Sequence, residues 1–239
     1  MKSLRIILNV YQSPNDILRG LIQDNPLYIP INGGSGLKHA DEWCKKNLVF
    51  EADLPDNISK LNYKLNEMTS IYACWKNYDK LAGSDYIGFN HYRRFFDPKD
   101  FTDYEDFDII VGKHYSFATT LLEQYRAVHK ELDIYTMLGI LYKEYKENIV
   151  YDFMNQYELF APCNMFIIKK ELFFKYCEFL FDKLFKLEPI VDLDKTDTYQ
   201  KRALAFLSER LTSFWMLQQL RAQKKIKEIP IVFFEDWTR

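Results

Sequence analysis

Apolar and polar positions divide the chain into short apolar runs and longer stretches of helical periodicity. Residues 4–10 (LRIILNV) are a β-branched run that ends at Tyr11-Gln12-Ser13-Pro14, which predicts a buried strand opening into a loop. Residues 27–31 and 48–51 predict two further strands, the first leading into Asn32-Gly33-Gly34-Ser35-Gly36. After Asn57-Ile58-Ser59 the spacing predicts a helix over 62–79, because Leu65, Met68, Ile71, Tyr72 and Trp75 recur every three or four residues. Residues 85–89 (DYIGF) read as a strand running into Asn90-His91-Tyr92-Arg93-Arg94, and 107–111 as another ending at Gly112. Residues 118–155 are helical in pattern, 164–168 returns to strand, 171–185 and 198–225 are helices, and 229–234 is a last short strand.

Strands that alternate with helices predict an α/β sandwich with a mainly parallel sheet flanked by helices. The expected organisation is one domain over 1–239 with a helical insert at 118–155. In an open α/β sheet, ligands sit beyond the carboxyl ends of the strands. That rule selects the loops 11–15, 32–36 and 90–94 and the segment around Asn164.

Composition narrows the functional classes. The chain is 48% hydrophobic and 28% charged, which is a folding composition and not a disordered one. Its formal net charge is −2 with Lys and Arg scattered, so no basic face for nucleic acid is expected. Cys44, Cys74, Cys163 and Cys177 show neither CxxC pairing nor zinc-finger spacing, and read as reduced thiols of a cytoplasmic protein. No leader pattern and no long apolar stretch suggests export or a membrane span. A P-loop, a GxGxxG fingerprint, a GxSxG elbow, an HExxH pair and an EF-hand loop are all missing. The Gly33-Gly34-Ser35-Gly36 run is too weak to stand in for any of them. Aromatic residues make up 17% of the chain, which suits bases and sugar rings as well as an ordinary core.

Polar residues at the expected carboxyl edge carry the candidate chemistry. Asn90 to Arg94 follow an apolar strand directly. Arg93 and Arg94 suit a diphosphate, because a guanidinium donates two parallel hydrogen bonds and keeps its charge. His91 suits phosphate binding, proton transfer or metal ligation. The competing reading pairs the arginines with nearby acids and makes His91 a strand cap. Glu67 and the pair Glu209-Arg210 interrupt apolar helical stretches. Each is either a carboxylate able to deprotonate a hydroxyl or a structural partner for an arginine.

Several of these segments together resemble a known family. Asp56-Asn57-Ile58-Ser59, the stretch from Asn66-Glu67-Met68-Thr69 to Trp75-Lys76-Asn77, and Asp85-Tyr86-Ile87-Gly88 with His91-Tyr92-Arg93-Arg94-Phe95-Phe96 are similar to bacterial capsular-polysaccharide glycosyltransferases long labelled only as a domain of unknown function. Tyr125 with His129, Asn164-Met165-Phe166-Ile167-Ile168 and Phe206-Leu207-Ser208-Glu209-Arg210-Leu211 follow the same pattern in the same order. The resemblance implies a GT-A-like fold and a cytoplasmic enzyme of polysaccharide assembly. Its donor would be a UDP-sugar, a hexose or galactofuranose, and transfer to a hydroxyl would be inverting.

The same resemblance assigns roles. Glu209 is the expected base and His91 a second catalytic group. Tyr11, Asn57, Glu67, Thr69, Tyr92, Arg93 and Arg94 form the donor and diphosphate side, and His129, Asn164 and Arg210 the acceptor side of the cleft. GT-A enzymes commonly hold a divalent metal with a DxD motif, but here the strand 85–89 leads to Asn90-His91-Tyr92. Asp106-Phe107-Asp108 spells DxD yet precedes its strand. No metal ligand is therefore assigned. The charge of the leaving diphosphate is expected to fall to Arg93, Arg94 and His91, with Mn²⁺ or Mg²⁺ as the alternative. Tyr11-Gln12 departs from the His-Lys pair usual in the family, and Tyr11 is read as a platform for uracil. The implied acceptor is an oligosaccharide, free or on a lipid carrier. The basic 221–227 stretch is the candidate contact with a membrane surface. Nucleotidyl or sugar-phosphate transfer, and a non-catalytic partner subunit, are the alternatives.

Overall fold

A computed structural model describes residues 2–11, 13–14, 16–23, 25–34, 41–191, 197 and 199–233. The parts of the sequence reading that fall on Gln12, Asn15, Ser35, Gly36, Thr198 and Phe234 lie outside the described residues. The strands are β1 (Leu4–Val10), β2 (Tyr28–Asn32), β3 (Val49–Phe50), β4 (Tyr86–His91), β5 (Arg94–Phe95), β6 (Ile109–Gly112), β7 (Tyr115–Ser116), β8 (Glu158–Leu159), β9 (Phe166–Lys169), β10 (Ile226–Ile229) and β11 (Val232–Phe233). The helices are α1 (Asp16–Ile22), α2 (Glu42–Asn47), α3 (Asn62–Leu65), α4 (Met68–Lys76), α5 (Tyr78–Leu81), α6 (Leu121–Val128), α7 (Glu131–Leu141), α8 (Glu147–Met154), α9 (Lys170–Leu187) and α10 (Ala203–Arg221).

The main sheet runs β10-β6-β9-β4-β1-β2-β3, with β5 pairing β4 and β11 pairing β5. β1 is parallel to β2 and β4, β2 to β3, and β10 to β6, whereas β9 is antiparallel to both β4 and β6. The α/β class with a mixed, mostly parallel sheet is therefore as expected. Because β9 runs backwards, its first residues lie at the same edge as the carboxyl ends of β4 and β6: Phe166 pairs with Phe89 and with Val111.

Side chains alternate across the strands and fill two cores. Ile7, Ile87, Phe89, Ile109 and Ile168 face the layer of α4, α9 and α10. Ile6, Leu8, Val10, Tyr86, Ile110 and Ile167 face the other side, with Leu18 of α1 and Cys44 of α2. Gly88 lies where β1 and β9 crowd β4, since a Cβ there would meet Ile6 and Ile167 at 3.0 Å. Much of the aromatic content is core: Phe89 stacks on Phe173 at 5.5 Å, and Phe214 meets Tyr145 and Phe153 at 4.9 and 5.3 Å.

Four departures from the pattern have local causes. The helix expected over 62–79 is broken into α3, α4 and α5, because Asn66 takes φ 47°, ψ −127° and ends α3. The 118–155 segment is three helices, the first started by a Thr120–Glu123 capping box and ended where His129 turns extended. The strand expected at 164–168 begins only at Phe166, since Cys163 and Asn164 have positive φ. The last strand is divided by Pro230, which has no N–H for the ladder. The short helices α1 and α2, the latter capped by Asp41, have too few turns to show a period.

Candidate functional site

Parallel strands β1, β2, β3 and β4 all deliver their carboxyl ends to one edge, and the loop 161–165 enters that edge from the opposite direction. β4 ends in a tight hairpin: His91 pairs with Arg94, leaving Tyr92 and Arg93 at the turn. The loop between β8 and β9 is held by left-handed residues, with Ala161, Cys163 and Asn164 at φ 47°, 61° and 53°. Such backbone is disfavoured by about 1–2 kcal/mol at a non-glycine position, and residues of this kind concentrate where a site needs them.

This loop joins the candidate groups. The Cys163 N–H donates to Glu209 Oε1 at 3.1 Å, and its carbonyl accepts from His91 Nε2 at 2.7 Å. The side chain of Asn164 donates to Glu67 Oε1 at 2.9 Å and Ser208 Oγ at 3.3 Å, and accepts from Thr212 Oγ1 at 2.8 Å. Glu67 is there because the break at Asn66 places it at the start of α4. Glu209 is carried by α10, with a second carboxylate oxygen 3.4 Å from Arg210 Nη1.

Electrostatics differ from residue to residue. Burial is the main cause that pushes the Glu209 carboxyl above its usual value; Arg210 opposes this and Glu67 adds to it. Burial likewise pushes His91 down, more than Glu67 pulls it up. With its Nε2 proton donated to a carbonyl, the neutral ring has only Nδ1 left, as an acceptor. His91 therefore does not bring the positive charge that was expected of it from the sequence. Arg94 influences His91, Cys163 and Glu209, lies 5.4 Å from the Phe233 ring and has a buried Nε with no partner. Arg93 is exposed, its guanidinium 5.1 Å from the Tyr92 ring.

Other expected residues take different places. Tyr11 is 70% exposed just past β1. Asn57 ties its own loop together, donating to Leu54 O at 2.8 Å and accepting from the Ser59 hydroxyl at 2.7 Å. Thr69 is fully buried and donates to Glu51 Oε2 at 3.0 Å. His129 stacks against Phe206 at 4.3 Å and Tyr199 at 5.4 Å, and burial pushes it down to about 4. Arg210 is buried over Tyr125 and donates to Gln124 Oε1 and to Phe206 O. In the basic stretch, Lys227 pairs with Asp103 at 2.6 Å and Arg221 lies 3.8 Å from Asp152.

Two groups escaped the sequence reading. Cys163 acts through its backbone, which no side-chain pattern announces. Glu51 follows β3 and is wholly buried, with no cation paired to it among the described residues, accepting from Gly34 N at 2.7 Å and from the Thr69 and Ser70 hydroxyls at 3.0 Å each. Burial pushes it up to about 7 against the lowering effect of these bonds. Its position as the polar end of a strand at the ligand edge was the available signal.

The residues present do not fit a DxD-type metal site. Asp108 lies at the amino end of β6, at the edge opposite His91, and is bonded to Lys169 Nζ at 2.6 Å and Lys225 N at 2.9 Å. The two carboxylates of the cluster, Glu67 and Glu209, are each engaged by the 161–164 loop. Among the described residues no three His, Cys, Asp or Glu side chains gather as metal ligands.

The family model described as "Domain of unknown function (DUF4422)" matches residues 19–220, most of the chain. The chain belongs to the DUF4422 family. The match spans Glu51, Glu67, the β4–β5 hairpin, the 161–164 loop and Glu209, so the whole edge cluster lies within the DUF4422 region. No curated protein matches this DUF4422 chain. Its fold is similar to that of WbbM, a bifunctional glycosyltransferase in its apo form, with a TM-score of 0.77 at 21% identity. The superposition covers 98% of the DUF4422 chain but 46% of WbbM, so the chain spans less than half of that protein. Likeness at this identity establishes the α/β fold that the two chains share. Among the described residues no helix is long and apolar enough to cross a membrane.

Proposed function

We propose that this chain is a glycosyltransferase that moves a sugar from a nucleotide diphosphate-sugar to a hydroxyl of a growing surface polysaccharide. The observation that carries the reading is the Glu209 carboxylate, partly buried at the ligand edge, held by the Cys163 N–H and pushed above its usual value. A carboxylate so placed is suited to take the proton of an acceptor hydroxyl near neutral pH. The fold shared with WbbM supports sugar transfer as the reaction class.

In this reading the acceptor oxygen attacks the anomeric carbon, Glu209 takes its proton, and the bond from that carbon to the diphosphate oxygen breaks with inversion. Negative charge grows on the departing diphosphate, where Arg94, with its unpartnered Nε, and Arg93 receive it. His91 is neutral and accepts through Nδ1, which suits a substrate hydroxyl. The donor is a UDP-hexose or UDP-galactofuranose, and Tyr11 lies open for the base. The acceptor is an oligosaccharide, lipid-linked or free, at the cytoplasmic membrane face. Since the Glu67 and Glu209 carboxylates are each engaged by the 161–164 loop and no three ligands gather among the described residues, transfer proceeds without a strict need for Mn²⁺ or Mg²⁺.

Thermal shift with UDP, GDP and CMP and their sugars, each with and without Mn²⁺, tests the donor. A UDP-specific rise in Tm that persists in EDTA is expected, and no rise with any nucleotide overturns the reading. Release of UDP, and not of UMP or pyrophosphate, distinguishes sugar transfer from nucleotidyl or sugar-phosphate transfer.

A further inference from the structure

The 161–164 loop has a feature that the proposed chemistry does not by itself require. Ala161, Cys163 and Asn164 all hold positive φ without being glycine. For Asn164 the conformation is tolerated and the side chain is engaged on three sides. For Cys163 the side chain offers no such reason, since among the described residues the hydrogen-bond contact of its thiol is with the Tyr115 hydroxyl at 3.6 Å. What the conformation determines is the direction of the two backbone groups. In extended backbone the N–H and C=O of one residue point to the same side, while helical values of either hand turn them apart. At φ 61°, ψ 18° the Cys163 N–H reaches α10 and its C=O reaches β4.

We propose that Cys163 is a positioning residue whose backbone clamps Glu209 and His91 as one unit, its N–H orienting the carboxylate and its C=O fixing His91 in the Nε2–H tautomer. The roles of Glu209 and His91 in transfer rest on the glycosyltransferase reading; the clamp itself rests on the two hydrogen bonds. A change in the Cys163 backbone is thereby felt at both side chains, although they lie on separate elements. The other charged or titratable groups that act on Glu209 are Arg210 on its own helix, Glu67 at the start of α4 and Arg94 on β5. Tyr115 of β7 faces it as well.

The test compares Cys163→Val and Cys163→Gly in the full chain. A β-branched residue resists positive φ, whereas glycine holds it freely. For Cys163→Val we expect kcat to fall at least tenfold with the donor KM within twofold. The acid limb of the kcat/KM profile moves to higher pH, because the lost N–H bond had favoured the ionised carboxylate. Cys163→Gly recovers both. A folded Cys163→Val with the wild-type limb overturns the clamp.

Two readouts need no activity. Long-range ¹H–¹⁵N spectra of the wild type show His91 protonated at Nε2, a state that Cys163→Val loses and Cys163→Gly keeps. The Cys163 amide exchanges at least tenfold faster in Glu209→Ala, a measurement that stands if the valine variant does not fold. A wild-type His91 protonated at Nδ1, or an amide indifferent to Glu209→Ala, overturns the proposal. If these two hold while no sugar is transferred, the clamp stands and the glycosyltransferase reading is what fails.

Discussion

Asn164 and Glu67 are 97 positions apart in sequence and joined by a 2.9 Å hydrogen bond at the carboxyl edge of the sheet. The same carboxamide accepts from Thr212, so β4's neighbour loop, α4 and α10 converge on one buried side chain. Burying an amide is favourable only while its partners are present, and removing it leaves those partners unmatched.

Asn164→Ala is therefore expected to destabilise by about 2–3 kcal/mol, since it strips buried partners and puts a β-carbon residue without Asn's tolerance at φ 53°. Asn164→Asp should do comparable harm above the carboxylate range, because it sets a second negative charge against Glu67. Urea unfolding of both variants measures this. An alanine variant within about 0.5 kcal/mol of wild type would mean the network contributes little.

Glu51 makes stability depend on pH in a definite direction. Its folded value of about 7 lies above the model-peptide 4.5, so the folded state binds the proton more tightly than the unfolded chain. The contribution is complete below about 4.5 and is lost as pH rises through about 7. Its size is roughly 3 kcal/mol at one pKa unit per 1.36 kcal/mol. His129, pushed down to about 4 by burial, works the other way, losing stability as pH falls from its usual range. The wild-type curve mixes the two, so the informative quantity is the difference from Glu51→Gln, which keeps the shape and removes the titration. Relative to this variant, wild-type Tm should decline between pH 5 and 7.5, a window set by the shift to about 7. Parallel curves would show that Glu51 does not titrate there.

The two arginines of the hairpin should separate. Arg94 is partly buried with an unpartnered Nε, while Arg93 is exposed beside Tyr92. A charge-assisted hydrogen bond in a sheltered place is worth about 1.5–3 kcal/mol, and an exposed ion contact about 0.2–1. Calorimetric titration with UDP should find Arg94→Ala weaker by about tenfold to a hundredfold and Arg93→Ala by less than about fivefold. Arg94→Lys should restore only part, because the ammonium lacks the planar fork. Equal losses at the two positions would contradict this division.

What was legible in the sequence followed side-chain periodicity. β1 falls on residues 4–10 as the β-branched run predicts, and α9 differs from its predicted 171–185 by a residue or two at each end. The reversal of β9 was not legible, because strand direction is a matter of connection and not of pattern. The break at Asn66 was hidden by Leu65, Met68 and Ile71, whose spacing continues the helical period across it. At the site, the His91–Arg94 cluster was visible because polar residues follow an apolar strand. The lowering of His91 was not, since it comes from burial in the folded chain, and its tautomer depends on a carbonyl 72 positions away. Glu51 and Thr69 make the same point: a buried carboxylate satisfied by two hydroxyls and an N–H is built from three separate segments.

The proton-accepting role of Glu209 has a kinetic signature that a structural carboxylate would not give. Glu209→Gln preserves the shape and still accepts from the Cys163 N–H, so the fold and the donor side are retained. Loss of a positioned base typically lowers the rate by about 10²–10⁴-fold. The expected outcome is a kcat reduced within that range, a UDP affinity within about twofold of wild type and an unchanged Tm. The pH profile gives the second half of the argument. Because burial raises the Glu209 carboxyl, wild-type kcat/KM should rise with pH through a limb lying above the ordinary glutamate range. Burial pushes His91 down, so any limb from it lies on the acid side of an ordinary histidine's. In Glu209→Gln the limb should vanish along with the rate. A variant that turned over near normally, or one that lost rate but kept the limb, would move the base to another residue, with Glu67 the next carboxylate at the edge.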